Sequence, residues 1–329
     1  MLTGKENLQE VMKKDGHPDR FVNQWEFLHL LLPDLYYMGD YPLEPGKEGY
    51  DQFGVFWSFP EGQMGAFPVH DDAHRVLKDI TEWREVVNHK PFIPDDPGYW
   101  GMLKGIASMA DPDNQYVSAI FTQGIFERLH ALMGMEDAMA NFYLEPDEMH
   151  ELIDFLVECE LDFAHAMVER VGIEAILHHD DWGSLKNSFM SPEMFDEFIT
   201  PAYKKIYGYY HENNVLIVHH NDAFSANLIP SMIEMGIDIW QGVTPTNNTA
   251  EITQKYAGQI TFMGEIETKL CDLPDWTPEV IEQEVERACR TGGKHSFIPC
   301  LTSGLPGSAF PGVYEEVSKN IAKMSEVMF

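Results

Sequence analysis

The sequence predicts an α/β chain wound as a (β/α)8 TIM barrel with an N-terminal helical elaboration. Three observations carry this. From Ile173 onward, short apolar runs alternate with helical stretches, as parallel strands and their crossover helices do. The chain has 329 residues and 44% apolar content, enough for one large core. No strand-like run is followed by G-x-G-x-x-G, and no G-x-x-x-x-G-K-[ST] occurs, which counts against an open doubly wound sheet.

The elements follow in order. Residues 1–20 form an N-terminal helical extension. Three strands are expected in the first half, near Phe21 to Phe27, Val55 to Phe59 or Ala66 to Val69, and Tyr116 to Phe121. A long helical stretch covers Asp147 to Val171. Ile173 to Leu177 is a strand. Ser191-Pro192-Glu193 then opens a helix to about Asn213, with Ser as N-cap and Pro at the first helical position. Val215 to His220 is the next strand, and its helix runs from about Ser225 to Met235-Gly236. Strands at Ile237 to Gln241 and Ile260 to Met263 flank a helix near Ala250 to Ala257. Thr277-Pro278-Glu279 opens a helix that stops at Gly292-Gly293. Ser296 to Cys300 is the last strand and Val313 to Met328 the last helix. No low-complexity linker or charge block divides the chain, so residues 1–329 read as a single barrel domain.

Composition excludes several function classes. With 54 acidic and 22 basic residues the formal charge is -32. Nucleic-acid binding, which needs basic surface, is set aside. Polyanionic substrates are disfavoured too, since only seven arginines are present. No run of 18 apolar residues occurs, so no membrane span is expected. The charged N-terminus lacks the apolar core of a secretory signal. Four scattered cysteines without a C-x-x-C pair suit a reduced, cytoplasmic protein.

The densest chemistry lies in VLIVHHNDAF, Val215 to Phe224. An apolar strand ends there in His219, His220, Asn221 and Asp222. Strand side chains alternate, so His220 and Asp222 share a face. One imidazole and one carboxylate two residues apart give a two-point grip on zinc. A strand end whose polar residues simply meet solvent gives the same pattern. HHDDWG, His178 to Gly183, is a second cluster, suited to metal binding, proton transfer or substrate holding, or to a plain turn. His179 and Asp181 are its candidates for catalysis, and Asp180 for substrate contact. Gln241, Glu265 and Cys300 stand at other predicted strand ends. Trp57, Trp182, Phe224 and Trp240 are candidates for the wall of a pocket for a flat apolar substrate, although an ordinary core uses the same residues.

Taken in order, several segments resemble the uroporphyrinogen decarboxylase superfamily. HPDRFVNQWE resembles its opening D-R-x-P strand, with Val22 in place of Pro. Asp51 to Val55 resembles its D-x-[WF]-G element, and LKDITEWREVV the lead into the first long helix. DDWGSLKNSFMSPEMFDEFITPAYKKI is similar to D-D-x-G…S-P-x-x-F…P. HHNDAFSANLIPSMIEMGID resembles H-x-C-G…G-x-D, while MGEIET and GLPGSAFPGVYEEV resemble the closing elements.

The resemblance implies a (β/α)8 barrel in one of two branches, tetrapyrrole decarboxylases or corrinoid-dependent methyltransferases. Decarboxylases hold a polycarboxylate through an arginine-rich N-terminal motif. This chain has Asn23-Gln24-Trp25 there instead. The methyltransferase branch binds zinc through H-x-C and a later Cys. Those positions fall on His220, on Asp222 and on Ser303 or nearby Cys300, with Glu265 as a further ligand by type. Oxygen in place of thiolate makes the metal a harder Lewis acid, suited to polarising a leaving ether oxygen. The resemblance therefore points to methyl transfer from a methoxylated aromatic compound to the cob(I)amide of a partner corrinoid protein, in a homodimer. The alternatives are a methylamine, betaine or methylthiol as donor, a metal-free decarboxylase, and a catalytically silent binding barrel.

Overall fold

The computed structural model describes residues 1–33, 40–63 and 65–329. Among the described residues, ten strands follow in chain order: β1 (Leu28–Leu31), β2 (Lys47–Tyr50), β3 (Phe56–Phe59), β4 (Phe67–Pro68), β5 (Tyr116–Phe121), β6 (Ala175–His179), β7 (Leu216–His220), β8 (Ile239–Val243), β9 (Thr261–Ile266) and β10 (Phe297–Leu301). Seven of them form one parallel sheet in the order β1-β5-β6-β7-β8-β9-β10, curled like a barrel and ringed by helices. The barrel-like α/β class expected from the sequence is what forms. The five units from β6 onward match their predicted strands to within three residues at either end.

The first half departs from expectation, and the parallel sheet has seven strands among the described residues rather than eight. The run Phe21 to Phe27 is not a strand, because Gln24 adopts φ +51 and breaks the extended path. The strand begins only at Leu28. Val55 to Phe59 and Ala66 to Val69 do not enter the barrel either. Their residues lie in or beside β3 and β4, and β3 pairs with both β2 and β4 in a separate antiparallel sheet.

Gln24 spans the seam between β10 and β1. Its backbone N–H donates to the Pro299 carbonyl at 3.3 Å, and its Oε1 accepts from Leu301 N at 3.4 Å. Its Nε2 donates to Ser318 Oγ at 2.7 Å, tying the seam to the final helix Val313–Met328.

Alternation divides the strand residues between two cores. Ala175, Leu177, Val218, Ile239, Met263, Ile298 and Cys300 fill the barrel interior. Ile176, Ile217, Trp240, Phe262 and Phe297 face the surrounding helices. The N-terminal helix Gly4–Met12 starts in a capping box between Thr3 and Glu6. Its Leu8 and Val11 join the interior cluster from the end opposite the strand C-termini. Among the described residues, no helix is long and apolar enough to cross a membrane.

Candidate metal centre

His179 and His220 are the last residues of β6 and β7 and are paired in register. Both continue the inward-facing rows, Ala175-Leu177-His179 and Val218-His220. Their rings stack with centroids 4.6 Å apart and planes 16° from parallel.

Each ring is oriented from behind. Gln241, inward on β8, donates through Nε2 to the carbonyls of Ser303 at 3.0 Å and Leu301 at 3.4 Å. Those two acceptors fix the amide, so Oε1 is left facing His220 Nδ1, to which it is hydrogen-bonded. An amide oxygen only accepts, so the proton of His220 sits on Nδ1 and Nε2 carries the lone pair. Burial, and then the charge of His179, push the His220 pKa down to about 3. The ring is neutral at pH 7. Gly304 lies over it, and a Cβ there would come within 3.0 Å of Nε2.

His179 is held in the same way by Glu127, whose Oε2 lies 2.9 Å from Nδ1. Its Nε2 then faces Asp181 Oδ2, 3.8 Å away. Burial opposes charge on His179, but Glu127 and then Asp181 outweigh it and raise its pKa to about 10. Burial also works against the Glu127 carboxylate, yet the facing His179 holds its pKa below the ordinary value. Asp181 is pushed up to about 8, by burial first and by repulsion from Glu127 and Asp222, against the pull of His179.

Glu127 was not among the residues expected from the sequence. It sits in the first turn of the helix Ile125–Met133. That helix starts where Asp180 accepts from the backbone N–H groups of Phe126 at 3.0 Å and Glu127 at 2.8 Å. Gly124 N–H donates to the His179 carbonyl at 2.8 Å, drawing the helix start onto β6. A Cβ at Gly124 would lie 2.2 Å from the Tyr203 hydroxyl oxygen, so only glycine fits. An acid in the first turn after a strand is a weak signal in sequence, since most such acids only face the helix dipole.

His179, Asp181 and His220 each offer one ligand atom, and these lie within 4.8 Å of one another. Two imidazoles with their Nδ1 atoms engaged by oxygen acceptors, plus one carboxylate, are a donor set that fits zinc. Three protein donors leave room for a fourth ligand. His179 and Asp181, expected in catalysis, thus join His220 in the metal-competent group.

The other predicted ligands are not brought together with it. Asp222 is exposed, and it meets the centre through its backbone N–H, which donates to Asp181 Oδ1 at 3.1 Å. Cys300 is fully buried in the barrel interior, and burial raises its thiol pKa well above the ordinary value. Glu265 is turned out of the barrel. Gly264 and Glu265 both have positive φ, and the Glu265 carboxylate is held by Thr249 and by Arg287 Nη1 at 2.5 Å.

The predicted substrate contacts also separate. Gln241 is at the centre, as the partner of His220. Asp180 is buried and fully engaged, accepting also from Tyr203 at 2.6 Å and Trp182 Nε1 at 2.8 Å. Trp182 is buried against the outward-facing His219, with ring centroids 4.1 Å apart. Trp240 points outward between Ile239 and Gln241, its Nε1 donating to Asn221 O at 2.8 Å. Trp57 is buried in the antiparallel sheet, bonded to Asp51 Oδ2 at 2.9 Å. Phe224 stays partly exposed on the loop after β7.

Comparison with known proteins adds the following. A family profile described as Uroporphyrinogen decarboxylase (URO-D) matches residues 58–321. No curated protein matches the chain. Among solved structures, a methyltransferase from Methanosarcina mazei is similar at a TM-score of 0.61 and 15% identity, over 83% of this chain and 76% of that one. A B12-independent methionine synthase from Shewanella sp. W3-18-1 is more distant, at a TM-score of 0.46 and 11% identity, over 74% of this chain and 69% of that one. At these identities the likeness is one of fold.

Proposed function

Because the chain belongs to the uroporphyrinogen decarboxylase (URO-D) family, we propose that it is the family's kind of methyltransferase, moving a methyl group from a methoxylated aromatic compound to the cob(I)amide of a partner corrinoid protein. The observation that carries this reading is the pair of stacked imidazoles, His179 and His220, each with Nδ1 engaged from behind, and each offering a ligand atom within 4.8 Å of those of the other and of Asp181. A decarboxylase working on a polycarboxylate has no need of such a pair. It needs cations, and this chain carries Asn23-Gln24-Trp25 where the arginine motif of that branch stands. A methyltransferase is also what the described M. mazei protein is, and it shares the fold.

His179, Asp181 and His220 would hold a zinc ion. Bound there, zinc would supply Lewis acidity toward the ether oxygen of the donor. Glu127 and Gln241 keep the two rings in one tautomer and orientation, so that neither nitrogen must reorganise during turnover. The aryl oxygen that keeps the bonding electrons needs a proton. We assign that proton to Asp222, which stands beside Asp181, its pKa raised by burial first and also by Glu127, against the pull of His179.

A second reading is favoured by one observation. Glu127, Asp181 and Asp222 crowd the centre with carboxylates. A cationic donor such as a methylamine or betaine suits that field.

The test is an anaerobic assay of the purified chain with reduced cobalamin, presenting methoxylated aromatics, trimethylamine and betaine in parallel. Methylcobalamin formed only from the aromatic ethers, and lost in His220→Ala, is the expected result. Turnover of the amines alone moves the assignment to the second reading. No methyl transfer from any donor by the zinc-loaded chain overturns both.

A further inference from the structure

The helix Ile125–Met133, which carries Glu127, has no cap of its own. Its N-cap is Gly124, which has no side chain to accept from the first-turn amides. The amides of Ile125, Phe126 and Glu127 are nevertheless bonded, to residues 53 to 78 positions away. Phe126 and Glu127 donate to the Asp180 carboxylate at 3.0 and 2.8 Å. Ile125 N–H donates to the Tyr203 hydroxyl at 3.1 Å.

Tyr203 stands on the helix Thr200–Glu212, behind the barrel wall. Its hydroxyl also donates to Asp180 Oδ2 at 2.6 Å, the shortest of the four bonds that this carboxylate accepts. One oxygen therefore accepts from the helix start and donates to the strand end after β6. The ring is fully buried, stacked on Tyr207 with centroids 5.0 Å apart and edge-on to His178 at 5.2 Å. Packing sets its position, so the hydroxyl is a fixed point. Glu127 is gripped at both ends, its N–H by Asp180 and its Oε2 against His179 Nδ1 at 2.9 Å.

We propose that Tyr203 is a positioning residue for the metal centre, its hydroxyl setting where Glu127 meets His179. With that oxygen gone, Ile125 N–H is a buried donor without its acceptor, and the Asp180 carboxylate loses one of the bonds that aim it at the helix start. The helix start then reseats, and Glu127 withdraws from Nδ1. An outer partner of this kind changes metal affinity without touching the ion. The inference rests on the metal reading for its consequence, but the bond between Glu127 and His179 belongs to the chain without metal.

Tyr203→Phe keeps the ring and removes the oxygen. In the metal-free, full-length chain labelled with nitrogen-15 at histidine, the proton between His179 Nδ1 and Glu127 gives a downfield signal, identified by its loss in Glu127→Gln. Tyr203→Phe is expected to shift or broaden that signal while the protein still unfolds in one cooperative step. Zinc affinity, measured by chelator competition, is expected to fall about tenfold. The double variant with Glu127→Gln is expected to bind no more weakly than Glu127→Gln alone, since both act through one contact. An unmoved signal in folded Tyr203→Phe overturns the proposal, and so do additive losses in the double variant. A moved signal in a chain that binds no zinc supports the placing of Glu127 by Tyr203 and overturns the metal reading alone. Where Tyr203→Phe fails to fold, hydrogen exchange in the unaltered chain decides. Amides of Ile125, Phe126 and Glu127 that exchange as slowly as those of β6 support the tie, and exchange as fast as at a frayed helix start overturns it.

Discussion

His179 and His220 stack 4.6 Å apart at the ends of adjacent strands, and each is gripped at Nδ1 by a different neighbour, Glu127 and Gln241. Two imidazoles so close would repel if both were charged. Their environments divide the protons unequally instead, with the His179 pKa near 10 and that of His220 near 3. One ring is a cation held by a carboxylate, while the other is a neutral donor ready for a metal.

Metal content is the first expectation. The purified, tag-free chain is expected to bind about one zinc ion per molecule, and His220→Ala to lose it. Elemental analysis of both proteins checks this, with circular dichroism showing that the variant is folded. A folded variant with full zinc content would remove His220 from the ligand set.

Glu127→Gln keeps the shape of the side chain but removes the charge that orients His179. Zinc affinity is expected to fall roughly 10–100-fold, as for other outer-shell partners. Competition against a chromophoric chelator measures it. An unchanged affinity would make Glu127 a bystander.

Gly304→Ala places a methyl group 3.0 Å from His220 Nε2. Unfolding is expected to change little, because the crowding falls on one ring edge at a partly exposed loop. Zinc affinity is expected to drop about tenfold. Affinity lost together with the fold would assign Gly304 to stability instead.

The pH dependence has a definite sign. Without metal, Asp181 titrates near 8 and His179 near 10, both above their ordinary values of 3.8 and 6.5. At pH 7 both hold protons that a metal must displace, so zinc binding releases protons and strengthens as pH rises from 6 toward 9. Raised values also mean that the metal-free fold binds more protons than the unfolded chain. For His179 that contribution is complete below 6.5 and is lost as pH rises through about 10. Asp181 adds a loss of the same sign between 3.8 and about 8. Melting curves with and without zinc from pH 6 to 9 are expected to diverge, and parallel curves would contradict the assignment.

Asp51 and Arg128 join the antiparallel sheet to the helix that carries Glu127, through a 2.6 Å ion pair whose side chains are 1% and 5% exposed. Asp51→Ala strands a buried guanidinium and is expected to cost about 3–5 kcal/mol. Denaturant unfolding reads this directly, and a cost below about 1 kcal/mol would mean that water reaches Arg128 in the variant.

The sequence carried the strand–helix rhythm from Ile173 onward, because each parallel strand is a short apolar run with a distinct helix start behind it. It also placed His220 on the inward face, since alternation along Val218-His219-His220 could be counted from the apolar run itself. Alternation also bears on Trp240. It lies between inward Ile239 and Gln241, so an outward position was readable. Glu265 was not readable, because two consecutive positive φ values turn it out of register. Nor was Glu127, whose bond to His179 spans 52 positions and depends on how a helix docks. The first strand was displaced by one left-handed residue, Gln24, that no local rule demanded.

The tie between Gln24 and Ser318 joins residues 294 positions apart. The Ser296 N–H likewise donates to the Val11 carbonyl at 2.7 Å, reaching from the start of the last strand to the first helix. The seam therefore cannot be sewn until Ser318 has left the ribosome. Until then the exposed edges of β1 and β10 offer unpaired N–H and carbonyl groups to any passing strand. Folding is expected to be slow and governed by this long-range closure. A nascent chain stalled before Val313 lacks the Ser318 tie that holds Gln24 at the seam.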